Sequence, residues 1–177
     1  CIQFMFQLDG VHIVTVEGLG GGTAFVDNFT GNNNANLIIG GIGDIINGAG
    51  GDDTFELDGA TATLNGGLGA DTLNGGAGND TLNGGDGVDN LDGGAGNDVM
   101  SGGDAGDFLA GGGGADSMHG GDGRDTFVFN LGSGADTIDD FSRRGDKLDL
   151  TATGINWADL DSNGNGRLDD ADAYVIV

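Results

Sequence analysis

Seven consecutive nine-residue units fill residues 66–128 and decide the fold of this chain. They run GGLGADTLN (66–74), GGAGNDTLN (75–83), GGDGVDNLD (84–92), GGAGNDVMS (93–101), GGDAGDFLA (102–110), GGGGADSMH (111–119) and GGDGRDTFV (120–128). Every unit opens with two glycines, carries aspartate at its sixth position and has a large apolar residue at its eighth. A fixed period of this kind indicates a repeat architecture, in which each unit buries its apolar face only by stacking on its neighbours.

The eighth positions predict a thin core between two parallel sheets. Glycine allows the first six residues of a unit to turn tightly, and the last three form a short strand whose middle side chain points inward. Two units then make one coil, and coils stack. One sheet is expected to bury Leu37, Phe55, Leu73, Leu91, Leu109 and Phe127, and the other Ile46, Leu64, Leu82, Met100 and Met118.

The charge of the chain points to cations. Its formal net charge is −24, from 29 acidic and 5 basic residues, and no Lys or Arg precedes Arg124. Packing so acidic a segment costs self-repulsion unless cations enter. A solvated, disordered acidic tract is the alternative, but the regular spacing of the aspartates argues against it. Nucleic-acid binding is excluded because phosphate contacts need a basic surface, and no apolar run reaches the roughly 18 residues of a membrane helix.

The sixth-position aspartates are predicted to form two rows, one along each edge of the stacked turns. Neighbouring carboxylates in a row would lie about 4.8 Å apart, the spacing of stacked strands, and would repel each other. Calcium between them removes the repulsion, because Ca²⁺ accepts about six to eight oxygen ligands, backbone carbonyls included. Mg²⁺ fits less well, and Zn²⁺ would lack nitrogen and sulfur ligands.

The predicted calcium ligands are therefore the aspartates of the two rows and the glycines at first and fourth positions. The first row holds Asp53, Asp71, Asp89, Asp107 and Asp125, and the second holds Asp80, Asp98 and Asp116. The glycines are Gly66, Gly69, Gly75, Gly78, Gly84, Gly87, Gly93, Gly96, Gly102, Gly111, Gly114, Gly120 and Gly123.

Three units depart from the pattern. Unit 57–65 lacks both leading glycines and has Ala62 at its sixth position, so that turn is expected to bind no ion and to break the second row. Ala105 replaces a fourth-position glycine, and the turn before Asp44 is one residue short.

A second calcium motif follows at residues 161–172, DSNGNGRLDDAD. Its spacing is similar to that of an EF-hand loop, and its predicted ligands are Asp161, Asn163, Asn165, the carbonyl of Arg167, Asp169 and Asp172. The alternative is an acidic surface turn. Asp172 is shorter than the usual glutamate, and the β-branched residues that follow do not favour an exit helix, so an EF-hand-like loop is the better description. With four gaps in the first row and two in the second, we expect roughly seven ions in all.

The nine-residue units match G-G-x-G-x-D-x-U-x, the repeat of the RTX (repeats-in-toxin) family. The match is strong over residues 66–128, where only Ala105 departs from the pattern, and it is looser over 31–65. Residues 129–150 resemble the segment that closes such repeats. The resemblance implies an all-β fold, a right-handed parallel β-roll, and several bound Ca²⁺ ions, so the naming of the ion rests on it as well as on the spacing. It also implies a secreted protein that leaves the cell unfolded through a type I secretion apparatus and folds on calcium outside.

The domain organisation expected from these patterns has four parts. Residues 1–30 form an N-terminal cap or the end of an upstream domain, 31–128 the roll, 129–150 its closing cap, and 151–177 the EF-hand-like loop with a C-terminal strand. The cap is expected to form a core from Phe127, Phe129, Ile138, Phe141, Leu148 and Leu150.

No catalytic motif accompanies the repeats. Neither H-E-x-x-H nor G-x-S-x-G occurs, and we expect no enzyme activity in this chain. The absence of an initial Met suggests a fragment. Three roles stay open: the C-terminal module of a secreted protease, lipase or epimerase with its catalytic domain upstream of Cys1, a repeat segment of an adhesin, or a stand-alone calcium-binding protein.

Overall fold

The computed structural model describes residues 2–8, 11–17, 28–40, 43–57, 61–142 and 145–153. These residues form short β-strands and one 3-10 turn at Thr151–Thr153. In chain order the strands are β1 (Ile2–Leu8), β2 (Val11–Glu17), β3 (Asn28–Thr30), β4 (Asn36–Gly40), β5 (Ile45–Gly50), β6 (Thr54–Leu57), β7 (Thr63–Leu68), β8 (Thr72–Asn74), β9 (Thr81–Asp86), β10 (Asn90–Asp92), β11 (Val99–Asp104), β12 (Phe108–Ala110), β13 (Ser117–Asp122), β14 (Thr126–Val128), β15 (Thr137–Ile138) and β16 (Lys147–Asp149).

The strands build two sheets, and from β3 onward the chain alternates between them. One sheet has the order β1-β2-β4-β6-β8-β10-β12-β14-β16, and the other β15-β13-β11-β9-β7-β5-β3. Apart from the antiparallel β1–β2 pair, neighbouring strands are parallel and come from successive coils. Leu73 thus lies opposite Leu91, and Leu82 opposite Met100. The predicted all-β parallel solenoid with two units per coil is confirmed.

The core is a single file of eighth-position side chains from each sheet. In β9, exposed Thr81 and Asn83 flank buried Leu82, and the other repeat strands show the same alternation. Full burial of such a side chain contributes about 1.5–3 kcal/mol, so each coil gains little on its own and depends on its neighbours. The buried cluster is Ile38, Ile46, Phe55, Leu64, Leu73, Leu82, Leu91, Met100, Leu109, Met118 and Phe127.

One predicted core position is wrong. Ile38 rather than Leu37 is buried, and it is Ile38 that lies opposite Phe55, whereas Leu37 lies opposite Thr54. The reason is the short turn before Asp44, which makes the unit at 40–47 eight residues long. Counting back in nines across this unit misplaces everything before it by one residue, and the corrected frame puts Asn36 at a sixth position.

The first described residues form two strands, β1 and β2. β1 and β2 make an antiparallel hairpin whose second strand runs parallel to β4, with Val14 opposite Ile38. The hairpin therefore covers one end of its sheet. Because β2 pairs with β1 on one side and with β4 on the other, its backbone N–H and C=O groups are not left unpaired at the edge of the sheet.

The C-terminal segment adds further strands to the roll. Ile138 in β15 lies opposite Met118, and Leu148 in β16 lies opposite Phe127. Phe129 and Ile138 pack against the core as expected. Phe141 contacts Phe127 with ring centroids 6.1 Å apart, but it is 38% exposed, and Leu148 is 39% exposed. Residues 129–149 thus continue the stacking of the roll through β15 and β16, with Phe141 and Leu148 partly exposed.

Candidate metal centre

Two rows of buried carboxylates run along the edges of the roll. We call them row one (Asp53, Asp71, Asp89, Asp107 and Asp125) and row two (Asp80, Asp98 and Asp116), and each of these side chains is at most 2% exposed. Each aspartate ends a glycine-rich turn and directly precedes a strand. Stacking of the coils therefore stacks the carboxylates, and the predicted rows are present.

One oxygen of each carboxylate is held by the backbone of the preceding coil. The N–H of Asp71 donates to Oδ1 of Asp89 at 2.8 Å, and the N–H of Asp80 donates to Oδ1 of Asp98 at 2.7 Å. The same bond recurs throughout both rows at 2.7–2.9 Å. These bonds fix where the second oxygen points.

The second oxygen, Oδ2, is buried without a hydrogen-bond partner in all eight aspartates of the two rows. Leaving a buried acceptor unpaired costs about 1–3 kcal/mol, and more when the group is charged. Eight such atoms at equivalent positions of a regular repeat indicate a shared, non-protein partner. A cation is the chemical match, since an ionised carboxylate only accepts.

The space that each Oδ2 faces is kept open by the first glycine of its unit. A Cβ placed on Gly75 would lie 2.7 Å from Oδ2 of Asp80 and 2.6 Å from the carbonyl oxygen of Gly93 in the next coil. A carboxylate oxygen and a carbonyl oxygen from successive coils thus converge on one cradle. The arrangement recurs in six gaps, which pair Asp53 with Gly66, Asp71 with Gly84, Asp89 with Gly102, Asp107 with Gly120, Asp80 with Gly93, and Asp98 with Gly111.

The family comparison agrees with this geometry. The family model described as "RTX calcium-binding nonapeptide repeat (4 copies)" matches residues 65–100 and 101–138. These residues belong to the RTX calcium-binding repeat family. The RTX repeat is a structural calcium-binding unit, not a catalytic one, and the parallel solenoid is its β-roll. The chain has no match among curated proteins, and none of its described helices is long and apolar enough to cross a membrane.

The RTX aspartates and the first-position carbonyls fit calcium. The donor set is all oxygen, mixes carboxylate with backbone carbonyl, and lies between coils, which suits a large, flexible coordination shell. The side chains named here would hold the ion through Oδ2, with Oδ1 reserved for the backbone.

The fourth-position glycines keep the RTX turns in a left-handed conformation. Gly69, Gly78, Gly87, Gly96, Gly114 and Gly123 all have φ between +126° and +155°. Their carbonyls are directed along the stack, and a Cβ on Gly87 would overlap the carbonyl oxygen of Gly69. Ala105 adopts φ +83° at this position, so its turn survives the loss of glycine at the cost of left-handed strain.

Burial sets the protonation of the RTX rows in the absence of metal. It raises the pKa of Asp71, Asp98 and Asp107 to about 6, against the lowering effect of the backbone bond to Oδ1, and neighbouring carboxylates raise it further. Burial also raises the pKa of Asp53, Asp80, Asp89 and Asp125. The rows are therefore sites where positive charge, from a proton or a metal, is favoured.

Row two is interrupted where the sequence predicts. Ala62 is buried at the row position, and its N–H donates to Oδ1 of Asp80 at 2.7 Å, as an aspartate's would. Its methyl group offers no oxygen to the gap. Asp44, one coil earlier, is buried as well.

Three residues of the rows were missed by the sequence reasoning. The N–H of Asp116 donates to Oδ1 of Asp136, and that of Asp125 to Oδ1 of Asp146, both at 3.1 Å. Asn36 takes the corresponding place before Asp53. The signal was available: LGSGADTID (131–139) and FSRRGDKLD (141–149) are degenerate units displaced by short insertions.

A surface cluster lies outside the RTX rows. Nδ1 of His119 is 2.7 Å from Oδ1 of Asp139 and 3.4 Å from Oδ2 of Asp140. The bond to Asp139 raises the pKa of His119. Asp140 also accepts from the N–H groups of Gly120 and Gly121. The cluster fastens the segment after β15 to the last complete coil, and no period in the sequence pointed to it.

The EF-hand-like loop lies outside the described residues. Asp161, Asn163, Asn165, Arg167, Asp169 and Asp172 all follow residue 153, where the description ends. Their role as calcium ligands stays a prediction.

Proposed function

We propose that this chain is a module whose folding depends on calcium bound between its coils. Each ion takes Oδ2 of an aspartate from one coil and the first-position carbonyl of the next coil as ligands. The eight buried, unpartnered Oδ2 atoms are the observation that carries the proposal. Six gaps of this kind, together with the EF-hand-like loop, correspond to about seven ions at one ion per site.

Calcium is coupled to folding because the apolar core is too thin to offset the charge. Residues 1–123 carry 18 acidic residues and no Lys or Arg, and each unit buries one large apolar side chain. Without cations the rows would bring carboxylates together in a buried environment, which is unfavourable. The calcium-free chain is therefore largely unfolded at neutral pH.

The module acts in a secreted protein, as the C-terminal part of a larger chain such as a protease, lipase or epimerase. Millimolar extracellular calcium suits sites of modest affinity, and a chain that stays unfolded inside the cell suits a type I secretion apparatus. Support comes from the RTX repeats and the acidic, cation-free N-terminal segment. The full reading frame distinguishes this context from an adhesin or a stand-alone protein.

Far-UV circular dichroism with calorimetry tests the proposal. In EDTA the spectrum should be that of an unfolded chain, and millimolar CaCl₂ should produce the β-sheet spectrum. MgCl₂ at the same concentration, the control for charge screening, should not. A spectrum already rich in β-structure in EDTA would refute calcium-dependent folding, and calorimetry without calcium uptake would refute the calcium sites.

A further inference from the structure

Asn36 occupies the row-one position of a unit outside the RTX match. Its unit, GNNNANLII (31–39), keeps only the first glycine and the apolar eighth residue of the repeat. Asn36 is nevertheless 3% exposed, and its N–H donates to Oδ1 of Asp53 at 2.8 Å, the bond that joins successive aspartates in both rows. Asn36 therefore makes the same backbone hydrogen bond as the aspartates of row one and lies at the N-terminal end of that row.

Hydrogen bonds fix the orientation of the Asn36 amide. Its Nδ2 donates to Oδ1 of Asp53 at 2.7 Å, to the carbonyl of Asn32 at 3.4 Å, and to the carbonyl of Asn34. Three acceptors around one atom identify it as the nitrogen. The amide oxygen, Oδ1, faces the other way and is buried without a hydrogen-bond partner.

The unpartnered oxygen faces the same kind of cradle as the aspartates. A Cβ on Gly31 would overlap the carbonyl oxygen of Gly48 and lie 3.3 Å from Oδ1 of Asn36. Gly48 is the first residue of the next coil along row one, like the carbonyl donors of the other six gaps. The gap between Asn36 and Gly48 thus has the same two kinds of oxygen, a side-chain oxygen and a first-position carbonyl oxygen. The amide oxygen lies farther from the Cβ position of its glycine than the carboxylate oxygens do, at 3.3 Å against at most 2.7 Å in the six gaps.

We propose that this gap is a further Ca²⁺ site, whose side-chain ligand is the neutral amide oxygen of Asn36. The inference rests on the proposed function, because it extends row one by one coil. Amide oxygens are ordinary calcium ligands, and calcium affinity falls as the number of charged ligands decreases. The site is therefore the weakest of row one and fills last, at its N-terminal end.

Native mass spectrometry and calcium calorimetry on the full chain test this site with two variants. Asn36→Ala should bind one ion fewer than the wild type. Asn36→Asp, which keeps the shape and adds a charge, should keep the ion count and tighten the weakest affinity by about tenfold or more. Asn65→Ala is the control, since Asn65 donates to Oδ1 of Asn47 at 2.8 Å on the outer face of the roll and faces no gap. It should leave both quantities unchanged.

The outcomes separate this site from the other calcium sites. An unchanged ion count in Asn36→Ala would overturn the site. It would mean that the Asn36 amide fills the gap and that no ion binds there. An unchanged weakest affinity in Asn36→Asp overturns it too, and decides alone if Asn36→Ala fails to fold. Either of these results would leave the proposed function intact. A wild-type chain that binds no calcium would refute both the Asn36 site and the proposed function.

Discussion

The two carboxylate oxygens of Asp89 have different surroundings, and the N–H of Asp71 binds only one of them. Oδ1 accepts the N–H of Asp71 at 2.8 Å, while Oδ2 is buried without a partner, beside the carbonyl of Gly102 in the next coil. The bond orients the carboxylate, and the orientation leaves one oxygen per aspartate for a cation. The same division occurs in every aspartate of the two rows.

Neutralising Asp89 should weaken calcium binding while leaving the coil intact. In Asp89→Asn the side-chain oxygen still accepts the N–H of Asp71, which places the amide NH₂ group where Oδ2 faces the gap. The gap then loses both a charge and a ligand oxygen, so we expect that site to be weakened by about tenfold or more. Asp86→Asn removes the same charge from an exposed side chain that lies three residues before Asp89 and outside the row. Calcium calorimetry should show the loss only for Asp89→Asn, and equal effects of the two variants would mean that total charge, not the row, governs affinity.

Filling a cradle should exclude its ion. A Cβ on Gly93 would lie 2.5 Å from Oδ2 of Asp98 and 2.7 Å from the carbonyl oxygen of Gly111, so Gly93→Ala should lower the ion count by one. Its φ is not left-handed, and backbone strain does not confuse the result. Gly113→Ala is the control, because its Cβ would meet no atom closer than 4.0 Å. Native mass spectrometry gives the counts; a full complement of ions in Gly93→Ala would contradict the assigned cradle.

Ala105 is a position where glycine should stabilise the roll. Its φ of +83° is left-handed, which costs an L-residue about 1–2 kcal/mol, partly offset by the greater freedom of glycine in the unfolded chain. Ala105→Gly should raise the free energy of unfolding in calcium by up to about 1 kcal/mol. Ala110→Gly, in strand β12, should lower it by about 0.5–1 kcal/mol. Urea denaturation measures both, and a loss of stability in Ala105→Gly would contradict the strain.

Acid should favour folding of the calcium-free chain. The pKa values of Asp71, Asp98 and Asp107 are about 6 in the folded form, against an ordinary value of 3.8. The folded form therefore binds protons more tightly than the unfolded form, and this contribution to stability is full below pH 3.8 and lost as the pH rises through about 6. In EDTA, the β-sheet signal in circular dichroism should increase as the pH falls from 7 to 5.

The same protonation should oppose calcium. A metal ligand must be ionised, so calcium affinity should fall as the pH drops through about 6. The two effects of acid therefore have opposite signs, one on the stability of the calcium-free fold and one on calcium affinity. Calorimetry at pH 7 and pH 5 measures the difference; equal affinities would indicate that the row aspartates do not hold the ion.

The unbroken repeat between residues 66 and 128 was enough to predict the core and both rows there. A period of nine with alternating inward side chains leaves one arrangement that buries Leu73, Leu82 and Leu91 together, and stacking then aligns the aspartates. The prediction was wrong at Leu37, because the unit at 40–47 has eight residues and not nine. The sequence alone does not show at which position of that unit a residue is missing.

The sequence by itself determined the period, the residues of the core and the aspartates that line the edges, because side-chain alternation and turn chemistry are local. Only the tertiary structure decided which oxygen of each aspartate is free and which irregular turns rejoin the rows. Hydrogen bonds between coils align Asn36, Asp136 and Asp146 with the rows although the units around them have lost or gained residues. This is possible because strand pairing sets the stacking of the coils, and the turns between the strands can differ in length.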